Sequence, residues 1–432
     1  MGGSTPARRR NRTEPGNKGP GAVCAACTGS THRRWQGRKW KKSLRGRGVQ
    51  PRPLAWRKEQ PHLQKNGQNE ERKSRLLACA EQNRAGRGRL LPLRLAAAAV
   101  LAAALLALFG CSAKETEVSE TFFVMDTVAS LRLIGDKEQA ESLLKQAAAL
   151  AQELETRWSR TLPDSSIYRL NDGETVVLDE ETAALLAQAA ALSVETGGAF
   201  TPTVSPLVEL WNIGEADSPP SREEIAALLP LPSPDFLAQA RAGQPFSLPE
   251  GCRLDLGGVA KGEAANRICA LLRESSLRGA LLVLGGQVSC VGTRADGEPW
   301  RIALRDPDGQ QGETLAELRL TDLHIATSGD YERYLEFEGV RYCHILDPET
   351  GWPPETDLRS VTVVSSDGAR ADGLSTALFV MGLEPSLAFW REAGDFEAVF
   401  VTSDRRVIAT EGLADCLSFS NGAGGYRFEF TS

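Results

Sequence analysis

The sequence lacks an apolar stretch of the ~20 residues that a helix needs to cross a bilayer. Its one long apolar run is residues 95–110, sixteen residues without a polar side chain, and it ends at Cys111. A protein that crosses the membrane several times is therefore excluded. The length of the run is typical of the apolar region of a secretory signal peptide.

Acidic residues are scarce in the first 94 residues, which contain 24 Lys and Arg, five Glu and no Asp, a net charge of +19. The rest of the chain carries 26 basic and 51 acidic side chains, a net charge of −25. A single folded unit rarely divides its charge in this way. Residues 1–88 also lack apolar periodicity, which indicates either disorder or a nucleic-acid-binding tail.

Cysteine pairs at zinc-site spacing are missing as well. Cys24 and Cys27 form a CxxC without a second pair, which makes a metal site there improbable. The cysteines beyond the apolar run are odd in number and show no CxxC spacing, so we expect most of them to be buried free thiols. They are Cys252, Cys269, Cys290, Cys343 and Cys416.

The end of the apolar run is similar to a bacterial lipobox, in which a small residue precedes a Cys that is lipidated. Here Gly110 precedes Cys111, and basic residues at 89–94 precede the run. We interpret residues 89–110 as a lipoprotein signal peptide and residues 111–120 as the lipidated Cys and a polar tether; a noncleaved anchor helix is the alternative. Both predict a location at the bacterial cell membrane, outside the cytoplasm, because the positive flank stays inside.

The position of this signal suggests an explanation for residues 1–88. A signal peptide normally begins close to its basic flank, and here about 90 residues come before it. Met1, Met125 and Met381 are the only methionines, so no internal Met lies just before the run. Our hypothesis is that residues 1–88 are translated upstream sequence and that the natural start is a non-AUG codon near Leu90 or Leu91. On this interpretation, no nucleic acid is expected as a partner.

Residues 121–432 are long enough for one large domain or two ordinary ones. Apolar spacing predicts a first strand over residues 122–133 and helices over 137–158, 180–195, 260–274 and 371–381. Residues 214–250, rich in Pro, Ser and acidic side chains, are predicted to form a surface excursion. Further strands are expected at 280–284, 288–291, 300–304, 360–365, 398–402, 407–409 and 426–430. Because strands outnumber helices without strict alternation, the predicted class is α+β, with mixed or antiparallel sheets packed by helices.

Two stretches with paired glycines follow or precede predicted helices. Residues 196–211 begin Thr-Gly-Gly-Ala-Phe-Thr-Pro-Thr, which sets an aromatic ring beside hydroxyls and suits a flat heterocycle, although a structural loop is the commoner explanation. Residues 255–262, Asp-Leu-Gly-Gly-Val-Ala-Lys-Gly, lead into a helix and match neither the Walker nor the dinucleotide pattern. Anion binding and a plain tight turn explain this stretch equally well.

Two later stretches contain candidate acid, base and metal-binding groups. His344 lies three residues before Asp347 in a Pro- and Gly-containing turn, where an imidazole can act as an acid or base, although a lone His is usually structural. In residues 371–378, Ala-Asp-Gly-Leu-Ser-Thr-Ala-Leu, Asp372 and Thr376 share a helix face and offer a carboxylate and a hydroxyl to a hard cation. The alternative is that Asp372 caps the helix.

Together these stretches resemble the bacterial FAD:protein FMN transferases, the ApbE-type flavin transferases. The likeness runs in order from about Phe123 to the C-terminus. It includes Met-Asp-Thr at 125–127, Ser-Ser-Ile-Tyr-Arg-Leu-Asn at 165–171, the two paired-glycine stretches, Thr-Ser-Gly-Asp-Tyr-Glu-Arg-Tyr at 327–334, His-Ile-Leu-Asp-Pro-Glu-Thr-Gly at 344–351 and the stretch at 371–378.

The resemblance implies that FAD is the substrate, that FMN passes to a Thr or Ser hydroxyl of a target flavoprotein, and that AMP leaves. It implies a fold with the FAD and metal site between subdomains, and a Mg²⁺ held by Asp372, Thr376 and the Gly258 carbonyl. The implied base is His344, with Asp372 assisting. The implied flavin and adenosine contacts are Met125, Thr161, Ala199, Phe200, Thr201, Asp255, Lys261 and Leu346. Thr201 and Thr161 depart from the family, which commonly has Asp at the first position and in some members an aromatic residue at the second.

Two other functions use the same motifs. An FAD pyrophosphatase would place water where the acceptor hydroxyl stands and would give FMN and AMP. A flavin-binding lipoprotein without catalysis would be expected to have lost the metal-binding pair, and Asp372 and Thr376 are both present.

Overall fold

The structure, a computed structural model, describes residues 115–310, 312–420 and 425–432. The predictions for residues 1–88, for the signal peptide at 89–110 and for lipidation at Cys111 lie outside the described residues. The first described strand begins at Thr116, inside the segment that the sequence assigns to the tether. No helix of the described part is long and apolar enough to span a membrane.

The elements are numbered along the chain. The strands are β1 (Thr116–Val124), β2 (Thr127–Gly135), β3 (Val176–Val177), β4 (Pro245–Phe246), β5 (Gly279–Leu284), β6 (Gln287–Gly292), β7 (Trp300–Arg305), β8 (Thr314–Leu320), β9 (His324–Gly329), β10 (Tyr334–Phe337), β11 (Val340–Cys343), β12 (Leu358–Ser365), β13 (Glu397–Thr402), β14 (Arg406–Thr410), β15 (Leu417–Phe419) and β16 (Arg427–Thr431). The helices are α1 (Lys137–Trp158), α2 (Ser166–Asn171), α3 (Glu180–Glu195), α4 (Ser205–Trp211), α5 (Arg222–Leu228), α6 (Ala260–Arg273), α7 (Gly368–Met381) and α8 (Leu383–Ala393), with 3₁₀ turns at Pro202–Val204, Pro234–Gln239 and Glu411–Leu413.

A nine-stranded sheet forms the centre, in the order β1-β2-β5-β6-β9-β12-β13-β14-β16. Its neighbouring strands are antiparallel except for β14 and β16, which are parallel. Smaller sheets pair β15-β8-β7, β10-β11 and β3-β4. Antiparallel strands can be joined by short turns without a crossover helix. The predicted α+β class is therefore confirmed.

Two apolar cores lie on opposite faces of the nine-stranded sheet. Successive side chains of a strand point to opposite faces, so on β12 Val363 packs in the core shared with the helices and Val364 in the core shared with β7 and β8. The helical layer contributes the apolar sides of α1, α3, α6 and α7. This layer positions the candidate metal ligands: Asp372 and Thr376 lie on α7, and Gly258 lies just before α6.

The helix beginnings follow from capping side chains. Asp136 accepts a hydrogen bond from the Gln139 N–H at 3.1 Å at the start of α1, and Asp179 accepts from the Thr182 N–H at 2.8 Å at the start of α3. A side-chain oxygen at this position satisfies an N–H that has no partner within the helix. The predicted bounds 137–158 and 180–195 are confirmed.

The predicted single strand over residues 122–133 is wrong. β1 ends at Val124, β2 begins at Thr127, and these two residues pair across a two-residue turn. Met125 and Asp126 in that turn have φ values of 52° and 57°. Such turns usually contain Gly, Asn or Asp and most often end in Gly, and left-handed backbone is uncommon for a Met. The sequence therefore gives no ordinary signal for the turn.

The predicted surface excursion over residues 214–250 is also wrong in part. Helix α5 and the 3₁₀ turn at Pro234–Gln239 fold within this stretch, and Ile225 and Leu237 are fully buried. Two apolar anchors in a polar stretch do not produce a periodic pattern, and this explains why the sequence suggests only a loop.

Strand β9 was missed for a different reason. Its sequence, His-Ile-Ala-Thr-Ser-Gly, ends in small polar residues that are typical of a loop. It nevertheless lies in the middle of the sheet, between β6 and β12. The polar end of β9 opens into the cavity described below. The sequence also does not predict strands β3, β4, β8, β10, β11 and β15 or helices α2, α4 and α8.

Candidate active site

One cavity of about 930 Å³ collects the predicted site residues. Its wall is formed by the β1–β2 turn, the end of α1, the loop after α3, the start of α6, the end of β9 and one side of α7. Every predicted site residue except Cys111 lines it. These residues are Met125, Thr161, Ala199, Phe200, Thr201, Asp255, Gly258, Lys261, His344, Leu346, Asp372 and Thr376.

The loop before α6 is fixed by Asp255. Its Oδ1 accepts a hydrogen bond from the Gly257 N–H at 2.7 Å, and its Oδ2 pairs with Arg160 Nε at 3.0 Å. Gly258 lies against Phe200, and a Cβ at Gly258 would come within 3.0 Å of the Phe200 ring. The glycine therefore serves close packing. Phe200 is only 4% exposed, so it shapes the cavity wall more than it offers an open face.

Asp372 lies inside α7 and does not cap it, so the capping alternative is wrong. The cap is Asp367, whose side chain accepts from the N–H groups of Ala369 and Arg370. The helix begins three residues earlier than predicted. Asp372 is 7% exposed, and its Oδ2 accepts from the Gly262 N–H at 3.1 Å.

Lys261 is the counter-charge of Asp372. Its Nζ lies 3.3 Å from Asp372 Oδ2 and also donates to the Gly257 carbonyl. A buried carboxylate normally needs such a partner, because its desolvation is costly. The sequence suggests that this loop could bind an anion. In the structure, Lys261 instead points toward Asp372, the candidate metal ligand.

The three predicted metal ligands converge on one part of the wall. A regular helix would aim the Gly262 N–H at the Gly258 carbonyl four residues earlier, but here it donates to Asp372, which removes the usual helix donor of that carbonyl. The Thr376 hydroxyl lies 3.5 Å from the Asp372 carbonyl and 3.4 Å from the Ser328 hydroxyl. A Cβ added to Gly258 would lie 3.8 Å from Thr376 Oγ1, so the Gly258 backbone lies close to this hydroxyl.

This donor set fits magnesium better than zinc. No group of three His, Cys, Asp or Glu side chains in residues 115–310, 312–420 and 425–432 is arranged to hold a metal ion. One carboxylate, one hydroxyl and one carbonyl are hard oxygen donors. Mg²⁺ is usually bound by one or two carboxylates together with substrate phosphate and water. The residues present therefore fit a magnesium ion that is completed by a phosphate-bearing substrate.

His344 faces the cavity with a defined tautomer. Its ring Nδ1 lies 3.2 Å from the Arg333 carbonyl oxygen. A carbonyl only accepts, so Nδ1 carries the proton and Nε2 keeps its lone pair in the neutral ring. Enclosure by protein, together with the charges of Arg333 and Lys261, lowers the pKa of His344 to about 4. Solvent reaches the ring through the cavity and opposes this shift, but both influences leave the imidazole neutral at pH 7.

The other described histidine has a structural position. His324 is buried in β9, and its Nδ1 lies 2.8 Å from the Ser289 hydroxyl. Burial lowers the pKa of His324 to about 4. It does not line the cavity.

The predicted flavin and adenosine contacts occupy several walls. The Met125 N–H donates to Glu155 Oε1 at 2.8 Å, and the Thr161 hydroxyl lies 3.1 Å from that of Ser159. The Thr201 hydroxyl lies 2.8 Å from that of Thr203. Leu346 packs in a small core beside Trp211.

Sequence reasoning did not assign several further charged or polar residues that line the cavity, and four of them make contacts that matter for the site. They are Glu155, Arg160, Ser328 and Arg333. Ser328 and Arg333 lie within the stretch at 327–334, so the motifs contain two of them, whereas Glu155 and Arg160 lie outside every motif. Their roles depend on contacts with distant residues, which spacing does not reveal.

Comparison with known proteins assigns the family. The model of the ApbE family matches residues 125–400, more than half of the chain. The chain belongs to the ApbE family. The match covers every predicted site residue except Cys111.

Members of the ApbE family from several bacteria are similar along most of the described part. The FAD:protein FMN transferase of Treponema pallidum is 34% identical over 337 residues, which cover 71% of this chain and 90% of that protein. The crystal structure of the ApbE protein from Thermotoga maritima has a TM-score of 0.63 at 30% identity and covers 70% of this chain and 99% of its own. Apo flavinyl transferase ApbE from Pseudomonas stutzeri has a TM-score of 0.58 at 30% identity, with 67% and 92% covered.

The cysteines agree with the sequence-based expectation. All five in the described part are free, and Cys252, Cys269, Cys290 and Cys343 are buried. Burial raises the pKa of the Cys269 and Cys290 thiols to about 12, so both stay protonated. They serve as apolar packing groups.

Proposed function

We propose that this protein transfers FMN from FAD to the hydroxyl of a Thr or Ser in a target flavoprotein and releases AMP. One observation carries the proposal: a single cavity brings together the neutral imidazole of His344, the carboxylate of Asp372 and the cation of Lys261. The Treponema and Pseudomonas relatives bear names that state flavin transfer. Imidazole, carboxylate and cation are the groups that phosphoryl transfer to a hydroxyl requires.

The cavity suits FAD as the substrate. Its volume of about 930 Å³ lies within the range of roughly 300–1,000 Å³ that is usual for ligand sites. Phe200 and Leu346 supply apolar wall for a ring system, and Arg160 and Lys261 supply positive charge for the two phosphates. Such a division between apolar walls and a few charged groups fixes the orientation of a ligand.

The reaction makes one bond and breaks one. The oxygen of the acceptor hydroxyl bonds to the phosphorus of the FMN half, and the bond from that phosphorus to the bridging oxygen breaks, so AMP leaves with that oxygen. The hydroxyl proton passes to Nε2 of His344, the ring nitrogen that is left free by the Nδ1 bond to Arg333. His344 is neutral at the outset, as a base must be.

Asp372, Thr376 and the Gly258 carbonyl would hold the magnesium ion. When bound, the ion supplies charge neutralisation for the pyrophosphate. Lys261, which pairs with Asp372 at 3.3 Å, is then available to contact a phosphate oxygen. Gly262 keeps Asp372 in place through its N–H.

The proposal is tested by comparing an acceptor protein with a variant that lacks the target hydroxyl. The purified protein is incubated with FAD, Mg²⁺ and an acceptor protein, and the intact mass of the acceptor is measured. We expect a mass increase of one FMN, and no increase for an acceptor whose target Thr is replaced by Val. Unmodified acceptor with unchanged FAD would contradict the proposal, and free FMN with AMP would favour hydrolysis by the same site.

We propose in addition that the mature protein is anchored to the bacterial membrane through lipid on Cys111, on the extracytoplasmic side. The apolar run at 95–110, its basic flank and the Gly110-Cys111 junction support this proposal. The target flavoproteins would then be modified outside the cytoplasm.

A further inference from the structure

The turn between β1 and β2 has a strained backbone beside the candidate base. Met125 and Asp126 both adopt left-handed conformations, with φ of 52° and 57°. This conformation costs roughly 1–2 kcal/mol for an ordinary L-residue such as Met125, and Asp tolerates it better. Both residues line the cavity. Strain of this kind persists only where surrounding contacts hold it in place.

Two side chains from distant elements hold this turn. The Met125 N–H donates to Glu155 Oε1 on α1 at 2.8 Å. Arg333, just before β10, donates from Nη1 to Asp126 Oδ2 at 2.9 Å and from Nη2 to the Asp126 carbonyl at 2.6 Å. The guanidinium thus contacts both the side chain and the backbone of Asp126.

The backbone of the same Arg333 holds His344. The Arg333 carbonyl accepts from the His344 backbone N–H at 3.0 Å and from ring Nδ1 at 3.2 Å. The side chain of Arg333 therefore contacts the β1–β2 turn, and its backbone carbonyl contacts the imidazole of His344. The position of that carbonyl decides where Nε2 of His344 points.

We propose that Asp126 and Arg333 are positioning residues for His344, and that their contact fixes the tautomer and the location of the imidazole during FMN transfer. This inference rests on the proposed function. Neither residue has to touch the reacting atoms. A base must lie within hydrogen-bond reach of the hydroxyl proton that it accepts, so a shift of the Arg333 carbonyl moves the base out of reach.

The contact between Asp126 and Arg333 contributes little to folding. Their side chains are 80% and 54% exposed, and exposed ion pairs contribute about 0–1 kcal/mol to stability. Variants at these positions should therefore fold. The charged groups that act on the imidazole are Arg333, Lys261 and Asp255, so removal of Arg333 also takes away one positive charge near it.

Two substitutions distinguish the effect of the Asp126–Arg333 contact from the effect of the turn conformation. Asp126→Gly removes the carboxylate but favours the left-handed backbone, so a role limited to turn conformation predicts unchanged or higher activity. Arg333→Met removes both hydrogen bonds to Asp126. The matched control is Arg341→Met, which removes an exposed arginine of β11 that stacks on Tyr334 and does not line the cavity.

The measurements are kcat and KM of FMN transfer and the titration of His344 by NMR, with His344→Gln to assign its signal. We expect Arg333→Met and Asp126→Gly to lower kcat by roughly 10- to 100-fold with little change in KM for FAD, since misplacement by about 1 Å can cost about 100-fold. The double variant should lose no more than the worse single one. The pKa of His344 should rise in Arg333→Met, and Arg341→Met should behave as the wild type.

The outcomes separate this inference from the proposed function. Wild-type protein without any FMN transfer would contradict the proposed function. Active wild type together with unchanged kcat in Asp126→Gly and Arg333→Met, or an unmoved His344 titration in Arg333→Met, would overturn the positioning role. Equal losses in Arg341→Met would also overturn it, because the effect would then be general to the hairpin of β10 and β11.

Discussion

At the scale of single residues, Asp372 carries the charge that the proposed magnesium site requires. It is buried, and its partners in the structure are the Gly262 N–H and Lys261. Spacing alone favours a helix cap over a metal ligand for this residue. The structure resolves this because the cap is Asp367, five residues earlier, and a residue inside a helix needs another reason to be a buried carboxylate.

We predict that Asp372→Asn lowers FMN transfer by on the order of 100-fold or more, because it removes the anionic ligand of the cation. The initial rate is measured over a range of Mg²⁺ concentrations, with circular dichroism to verify folding. Glu384→Gln, which removes an exposed carboxylate at the start of α8, serves as the control and should keep full activity. Full recovery of Asp372→Asn in excess Mg²⁺ would argue against the assigned ligand.

The proposed role of His344 as a base predicts how the activity depends on pH. The neutral ring is the active form, and the pKa of His344 is lowered to about 4 from an ordinary value of about 6.5. Activity should therefore persist as pH falls below 6.5 and should be lost as pH approaches the lowered pKa. The measurement is kcat/KM between about pH 3.5 and 8, with His344→Gln expected to be inactive throughout and circular dichroism to verify folding at the lowest pH. An acid limb centred near or above pH 7 would contradict this role.

At the scale of elements, two helices bring the site together where they cross. Gly262 of α6 meets Gly368 of α7, and a Cβ on Gly262 would come within 2.1 Å of the Gly368 carbonyl oxygen. The crossing places Lys261 beside Asp372 at 3.3 Å. The sequence predicts both helices from their apolar spacing, but their contact depends on glycines far apart in the chain.

Gly262→Ala should therefore affect both folding and the site. Overpacking typically costs about 1–3 kcal/mol, and the backbone shift that relieves it moves the Gly262 N–H away from Asp372. We expect a lower midpoint in urea unfolding and a weaker Mg²⁺ dependence of the rate. Ala270→Ser, on the exposed side of α6, is the control and should change neither. A variant as stable as the wild type would mean that the two helices separate without cost.

The sequence predicts some elements of secondary structure accurately and others not at all. Helices with long apolar faces and a side-chain cap, such as α1 and α3, could be located to the residue. The β1–β2 turn could not, because Met125 adopts a left-handed conformation that its residue type disfavours. Nor could β9, whose polar end belongs to the cavity. Both failures lie next to the candidate site, where local preference is overridden by contacts from distant elements.

At the scale of the whole molecule, the family match begins at residue 125, within the acidic part of the chain. The basic first 94 residues therefore lie outside the family match. Motif order in the sequence was enough to predict which residues share the cavity. It could not predict that Arg333 joins the β1–β2 turn to His344, because that contact spans 207 residues.

Anchoring at Cys111 makes a separate prediction for the whole chain. In bacterial cells supplied with a fatty acid that carries a clickable tag, the protein should acquire the label and sediment with membranes. Cys111→Ser should lose the label, because the thiol that accepts the lipid is removed, whereas Cys252→Ser should keep it. Label that persists in Cys111→Ser would contradict anchoring at this residue.

The central claim is that the cavity transfers FMN to a protein hydroxyl rather than to water. The most direct measurement is a time course that quantifies, in one reaction, the AMP released and the FMN bound covalently to the acceptor. The account predicts equal amounts at every time point, and a rate lower by on the order of 100-fold or more for both products in Asp372→Asn. AMP that accumulates together with free FMN while the acceptor stays unmodified would contradict it.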